Sequence, residues 1–161
     1  MDKITPCLWF DGKAEEAAEF YTSLFPDSHI DKVDRAPGDN PSTPEGAVLT
    51  VGFTLAGRLF MGLNGGPDFK FNEAISLSID CEDQAEVNRY WNALLADGGE
   101  ESMCGWLKDR YGLSWQVVPR QLIEMLGSPD RDAARRTMEA MLKMQKIEVA
   151  KLQEAYEAPA A

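Results

Sequence analysis

This chain has little of what metal sites and disulfide scaffolds are made from. It holds one histidine, His29, and three scattered cysteines, Cys7, Cys81 and Cys104. A single imidazole excludes any centre built on several histidines. An odd, dispersed set of thiols excludes a disulfide framework and fits reduced cysteines, so a cytoplasmic location is expected. Positive charge is also scarce: 16 Lys and Arg stand against 27 Asp and Glu, for a net charge of −11. Nucleic-acid phosphates and anionic membrane surfaces are bound by clustered basic side chains, so neither partner is expected. The start carries no basic segment leading into an apolar run, so no secretory signal is expected, and no apolar stretch reaches bilayer length. What is left is an ordinary globular composition, 44% hydrophobic and 27% charged over 161 residues, long enough for a single domain spanning 1–161. The acidity reads as solubility.

What the chain does have is a repeat. Phe10-Asp11 is followed by an acidic, Ala-rich helical pattern over 13–24, and Ile79-Asp80 by a similar pattern over 82–95. A period that long in a chain of this size means duplication of one βα unit, with a pocket expected between or within the copies. The first strand reads as 4–10, and Asp11 and Asp80 are expected to cap the helices after them. A second strand over 28–36 precedes a turn-rich loop over 37–46. Strands over 47–55 and 58–63 then form a hairpin around Ala56-Gly57. The second half repeats the order, with strands at 74–80, about 101–103, 105–109 and 113–118. Modules are thus expected at 3–66 and 72–118, each β-α-β-β-β.

A helical extension over 119–161 follows. Ser128-Pro129-Asp130 has the form of an N-cap with proline in the first turn, opening one long helix. Met138, Leu142, Val149, Leu152 and Tyr156 make an apolar stripe along it, widened by Met141, Met144 and Ile147. The stripe either packs on its own domain or forms a homodimer contact; the second is preferred, because the two modules already complete a domain.

These residues resemble a known family. Ile4-Thr5-Pro6 with Trp9-Phe10-Asp11-Gly12, Phe60-Met61-Gly62-Leu63-Asn64-Gly65-Gly66, Trp91-Asn92-Ala93-Leu94 and the run from Gly105 to Gln116 are similar to the PhnB-like branch of the vicinal oxygen chelate superfamily, which includes the glyoxalase and bleomycin-resistance proteins. The resemblance implies an α+β fold: paired βαβββ modules forming two curved mixed sheets, here with a long C-terminal helix. Members of the branch often carry the label 3-demethylubiquinone 3-methyltransferase. No strand here runs into a glycine-rich loop opening a helix, the usual cradle of a nucleotide-like cofactor, and no cofactor is expected.

Active superfamily members hold a divalent metal with ligands from the first and last strand of each module. Carried over by motif, those positions are Pro6 (or Thr5, if the register shifts by one), Gly62, Ala74 and Gln116. Only Gln116 can coordinate a metal, so no metal is expected. Strand alternation from those positions puts Leu8, Phe10, Phe60, Asn64, Ser76, Ser78, Ser114 and Val118 on the cavity face with Gln116. Trp106 is a candidate for stacking, with Trp9 and Trp115 as core aromatics or alternatives. The ligand-binding set is therefore Leu8, Phe10, Phe60, Asn64, Ser76, Ser114, Gln116 and Trp106, suited to a small, partly apolar or aromatic molecule. The competing view is that the aromatics simply fill the space. Cys104 lacks a nearby base to become a nucleophile. Cys7 and Cys81 are expected in the core, Lys108-Asp109-Arg110 in a solvated turn, and Phe69 to Asn72 as a lid or a partner contact. Binding without metal ranks first, an enzyme in the same cavity (a lyase, isomerase or the family-labelled methyltransferase) second, and a purely interacting dimer third.

Overall fold

The structure, a computed structural model, describes residues 2–159. The chain divides into two compact units, Met1–Phe71 and Asn72–Ala161. Unit 1 runs β1 (Cys7–Phe10), α1 (Ala14–Leu24), β2 (His29–Arg35), β3 (Val48–Leu55) and β4 (Arg58–Asn64). Unit 2 runs β5 (Ser76–Cys81), α2 (Gln84–Leu95), β6 (Glu100–Glu101), β7 (Trp106–Lys108) and β8 (Ser114–Pro119), then α3 (Arg120–Leu126), α4 (Arg131–Met141) and α5 (Val149–Glu157). The sheets have matching orders, β1-β4-β3-β2 and β5-β8-β7-β6. In each, the first strand is parallel to the last and the other pairs are antiparallel. This is the paired βαβββ, α+β architecture that the sequence predicts.

In unit 1, α1 lies close on its sheet because its inner face is small: Ala14, Ala17 and Ala18 are fully buried, with Tyr21 beyond them. The strand beneath yields as well. A Cβ at Gly62 would lie 3.2 Å from that of Ala14. Tyr21, Phe53 and Phe60 continue the core, with ring centroids 6.4 and 5.8 Å apart. Removing one such buried ring costs about 3–5 kcal/mol. The β3–β4 hairpin closes on Ala56 and Gly57 at φ 47° and 79°, a two-residue turn whose twist matches the strands.

In unit 2, α2 buries Val87, Tyr90, Trp91 and Leu94 over a sheet face that includes Ile79, Leu107, Trp115 and Val117. Its start is capped locally: the Asp83 carboxylate accepts from the Glu86 amide at 2.9 Å, and Glu86 in turn accepts from the Glu82 amide at 2.7 Å. Asp80 is no cap; it pairs with the Arg120 guanidinium at 2.9 Å.

The predicted long terminal helix is divided in two. Asp130, not Ser128, caps α4, accepting from the Ala133 amide at 3.0 Å. The Ser128 hydroxyl instead accepts from the Asp130 amide and bonds the Tyr156 hydroxyl. The chain leaves the helix after Met141, and the carbonyls of Met144 and Gln145 accept from the amides of Cys104 and Gly105 at 2.7 and 2.8 Å. Gln84 then caps α5 across 65 residues: its carbonyl accepts from the Val149 amide at 2.7 Å, and its amide donates to the Ile147 carbonyl at 2.9 Å. These bonds, with Ile147 fully buried, replace those a continuous helix would make. The apolar stripe is mostly consumed inside the unit. Leu152, Met144 and Ile147 join Leu122 and Met125 in one core cluster with Tyr156 against it, which leaves Met138 and Leu142 exposed.

Candidate functional site

Each sheet has a helix-covered face and an opposite face. In unit 1 the expected set lies mainly on the helix-covered face, with Phe60 also bordering the groove on the other. Leu8, Phe10, Phe60 and Asn64 are 7%, 3%, 5% and 7% exposed and lie on the α1 side. Register pairs Leu8 with Gly62, whose Cβ direction points at Ala14, and Phe10 with Asn64. Asn64 does structural work there. Its carbonyl oxygen accepts from the Ala14 amide at 2.9 Å, opening α1 in place of a local cap, and its amide donates to the Val48 carbonyl at 2.9 Å. Asp11 therefore does not cap α1.

The face of unit 1 opposite α1 carries the other parity: Cys7, Trp9, Met61 and Leu63, with Gly52 and Thr50 beside them. Cys7 is exposed, not in the core. Thr5, Thr50, Gly52, Leu59, Met61 and the expected Phe60 line a groove of about 530 Å³. Its rim on β2 is charged. Lys32 pairs with Asp34 at 2.7 Å, and Asp31 accepts from His29 at 2.9 Å and from the Thr54 hydroxyl at 2.8 Å. Such exposed pairs contribute little to stability. Gly52 leaves room at the floor: a Cβ there would meet only the Lys32 carbonyl, at 4.0 Å.

Trp9 lies on the same face. Its indole donates to the Gly66 carbonyl at 2.9 Å and rests on Gly65, where a Cβ would lie 2.3 Å from the ring. Phe69 packs edge-on against Trp9, and Phe71 does the same to Phe10 on the other face. The segment read as a lid or a partner contact thus straddles the end of β1.

In unit 2 the face opposite α2 carries Ser76, Ser78, Ser114, Gln116, Trp106 and Lys108, by register across β5, β8 and β7. The Gln116 amide donates to the Ser76 hydroxyl at 2.9 Å. Val118 is drawn into the helical core cluster instead. Glu73, Glu100, Trp106, Lys108 and Ser114 line a cavity of about 160 Å³. Lys108 forms an ion pair with Glu73. That bond holds the Glu73 carboxyl below the usual carboxylate range and raises the Lys108 ammonium above the ordinary lysine value.

The predicted solvated turn after β7 is built around a buried carboxylate. Asp109, 2% exposed, accepts from the Tyr111 and Leu113 amides at 2.8 and 3.1 Å and from the Trp115 indole at 2.8 Å. Trp115 therefore belongs to the core. Cys81 is buried, and loss of water there pushes its thiol up to about 12, too high for a nucleophile near neutral pH.

The ligand positions carried over by motif hold Pro6 (or Thr5), Gly62, Ala74 and Gln116. Among the described residues no three His, Cys, Asp or Glu side chains are grouped to hold an ion. No helix is long and apolar enough to cross a membrane among the described residues.

Comparison with known proteins places this geometry. The profile of the 3-demethylubiquinone-9 3-methyltransferase family matches residues 2–118. The PhnB protein from Bacillus cereus shares 39% identity at a TM-score of 0.66, over 73% of this chain and 99% of that one. A protein from Pseudomonas aeruginosa shares 21% identity at a TM-score of 0.60, over 74% and 98%. The genomically encoded fosfomycin resistance protein from Listeria monocytogenes, complexed with Mn(II) and sulfate, shares the fold at a TM-score of 0.51 with 12% identity, over 74% and 91%. A search among curated proteins finds no sequence match.

Proposed function

The chain belongs to the 3-demethylubiquinone-9 3-methyltransferase family, in the PhnB-like branch of the vicinal oxygen chelate superfamily, and on that premise we propose that it binds a small, partly apolar molecule without a metal. The observation that carries this reading is the groove of unit 1. It has the volume of a small-molecule site, an apolar floor of Leu59 and Met61, and two threonines to orient a ligand. Three neutral, hydrogen-bonding residues on the open face of unit 2 support the same reading, because Ser76, Ser114 and Gln116 can position a ligand but cannot ionise to hold a cation.

Gly52 provides the test. A phenylalanine there grows into the groove without meeting the core. Anilinonaphthalene sulfonate, an apolar fluorescent probe, should bind the parent protein saturably and equally with chelator present. Gly52→Phe should weaken that binding about tenfold or more. Equal binding by both proteins, or binding lost with chelator, would overturn the reading.

A further inference from the structure

Within the cavity of unit 2 one polar group lacks a partner. Ser114 is 1% exposed, and its hydroxyl makes no hydrogen bond. A buried hydroxyl left in that state costs about 1–3 kcal/mol. Its register neighbour across the sheet is Lys108, which is itself opposite Glu100 on the next strand. Lys108, Glu73, Ser114 and the half-buried Trp106 all line the same space. The cavity therefore joins a cation, an unused hydroxyl and an aromatic surface, and the cation is already paired with a carboxylate from its own chain.

Glu73 is weakly committed to that place. It lies outside β5, in the turn before Ser76, and its side chain is 60% exposed. No other ion pair in the described residues holds it. Its carboxylate shows which chemistry Lys108 accepts. A ligand carboxylate that replaced it would leave the charge around Lys108 unchanged, whereas an added anion would meet Glu73 and Glu100 together, and a cation would meet Lys108.

Resting on the small-molecule reading above, we propose that the unit 2 cavity is a latched carboxylate site: a small carboxylic acid displaces Glu73 from Lys108, turns an oxygen toward the Ser114 hydroxyl, and lays its body against Trp106. The site shares no lining residue with the unit 1 groove, so each can fail alone. Charge-assisted hydrogen bonds are the strong ones in such an exchange.

Calorimetry with benzoate, and with benzyl alcohol as its neutral counterpart, tests the exchange on the full chain. Glu73→Ala should bind benzoate about tenfold tighter than the parent, since the internal competitor is gone. Adding Lys108→Met or Ser114→Ala to that variant should remove the gain, and benzyl alcohol should be indifferent to Glu73. Circular dichroism of each variant establishes that it is folded. Benzoate binding that ignores Glu73, survives Lys108→Met, or is absent from folded Glu73→Ala would overturn the proposal, whatever the outcome at Gly52.

Discussion

The two units share one strand order and one pattern of parallel and antiparallel pairs, yet they finish their helices and sheets by opposite means. Unit 1 opens α1 with Asn64, a side chain from the far end of its last strand, and seals the end of β1 with Phe69 and Phe71. Unit 2 opens α2 with the adjacent Asp83 and closes its sheet with three further helices. The faces opposite the helices differ too: Leu59, Met61 and Trp9 in one, Ser76, Ser114 and Gln116 in the other. The difference teaches that the βαβββ ladder sets only where a surface will stand. The residues of each parity then decide what that surface can hold.

The sharpest break between the units would come from the C-terminus. Deleting residues 130–161 strips the cover from Leu122 and Met125 and removes Met144, Ile147 and Leu152 from the core. Losing several large buried side chains at about 2–5 kcal/mol each exceeds the stability of a typical domain. Urea unfolding followed by circular dichroism should lose the unit 2 transition. A truncated protein that unfolds like the full chain would refute the view that the extension belongs to unit 2.

The contrast in capping is next in size. Asn64→Ala leaves a buried amide and a half-buried carbonyl without this partner and should cost about 2–4 kcal/mol, against about 1 kcal/mol for Asp83→Ala at an exposed cap. Equal losses in chemical denaturation would erase the distinction.

Thiol chemistry separates the units more gently. Cys81 is raised by burial, so the folded state holds it protonated. The stability linked to it is complete below the ordinary thiol value of 9.0 and is lost as pH rises toward about 12. Native alkylation at pH 8 should label the exposed Cys7 well before Cys81, and mass spectrometry of peptides reads the order.

The smallest effect concerns Glu73 and Lys108. The lowered Glu73 carboxyl contributes above the ordinary glutamate value and loses that contribution as pH falls through its folded value. The raised Lys108 ammonium contributes below the ordinary lysine value and loses it as pH climbs through its own. Glu73→Gln should flatten both edges of the pH–stability profile slightly; an unchanged profile would mean that the pair is too well screened to matter.

Element order through the two sheets was legible in the sequence because helix periodicity, turn residues and the repeat all agree. Face assignment was legible only where the two parities differ. Ser76 and Ser78 alternate with Leu77 and Ile79, so β5 reveals its sides. Leu8-Trp9-Phe10 and Phe60-Met61-Gly62-Leu63 are apolar at both parities, and anchoring on the carried-over Pro6 and Gly62 selected the helix-covered side for Leu8, Phe10 and Asn64. The one contrary signal was Asn64, a polar residue ending an apolar strand, whose partner at Ala14 no local pattern reveals. The division of the last helix was hidden for a similar reason: Gln84 and Gly105, which hold the break open, lie far from it in the chain.

The reach of Gln84 also sets a timetable. On a ribosome adding ~5–20 residues per second, unit 1 has all the groups that close it once Phe71 has emerged. Unit 2 has α2 early, but the amide that occupies Gln84 belongs to Val149, 65 residues further along the chain. For several seconds of synthesis the nascent chain therefore carries a finished unit 1 and an unclosed unit 2, and the apolar face awaiting α5 is what a chaperone would meet.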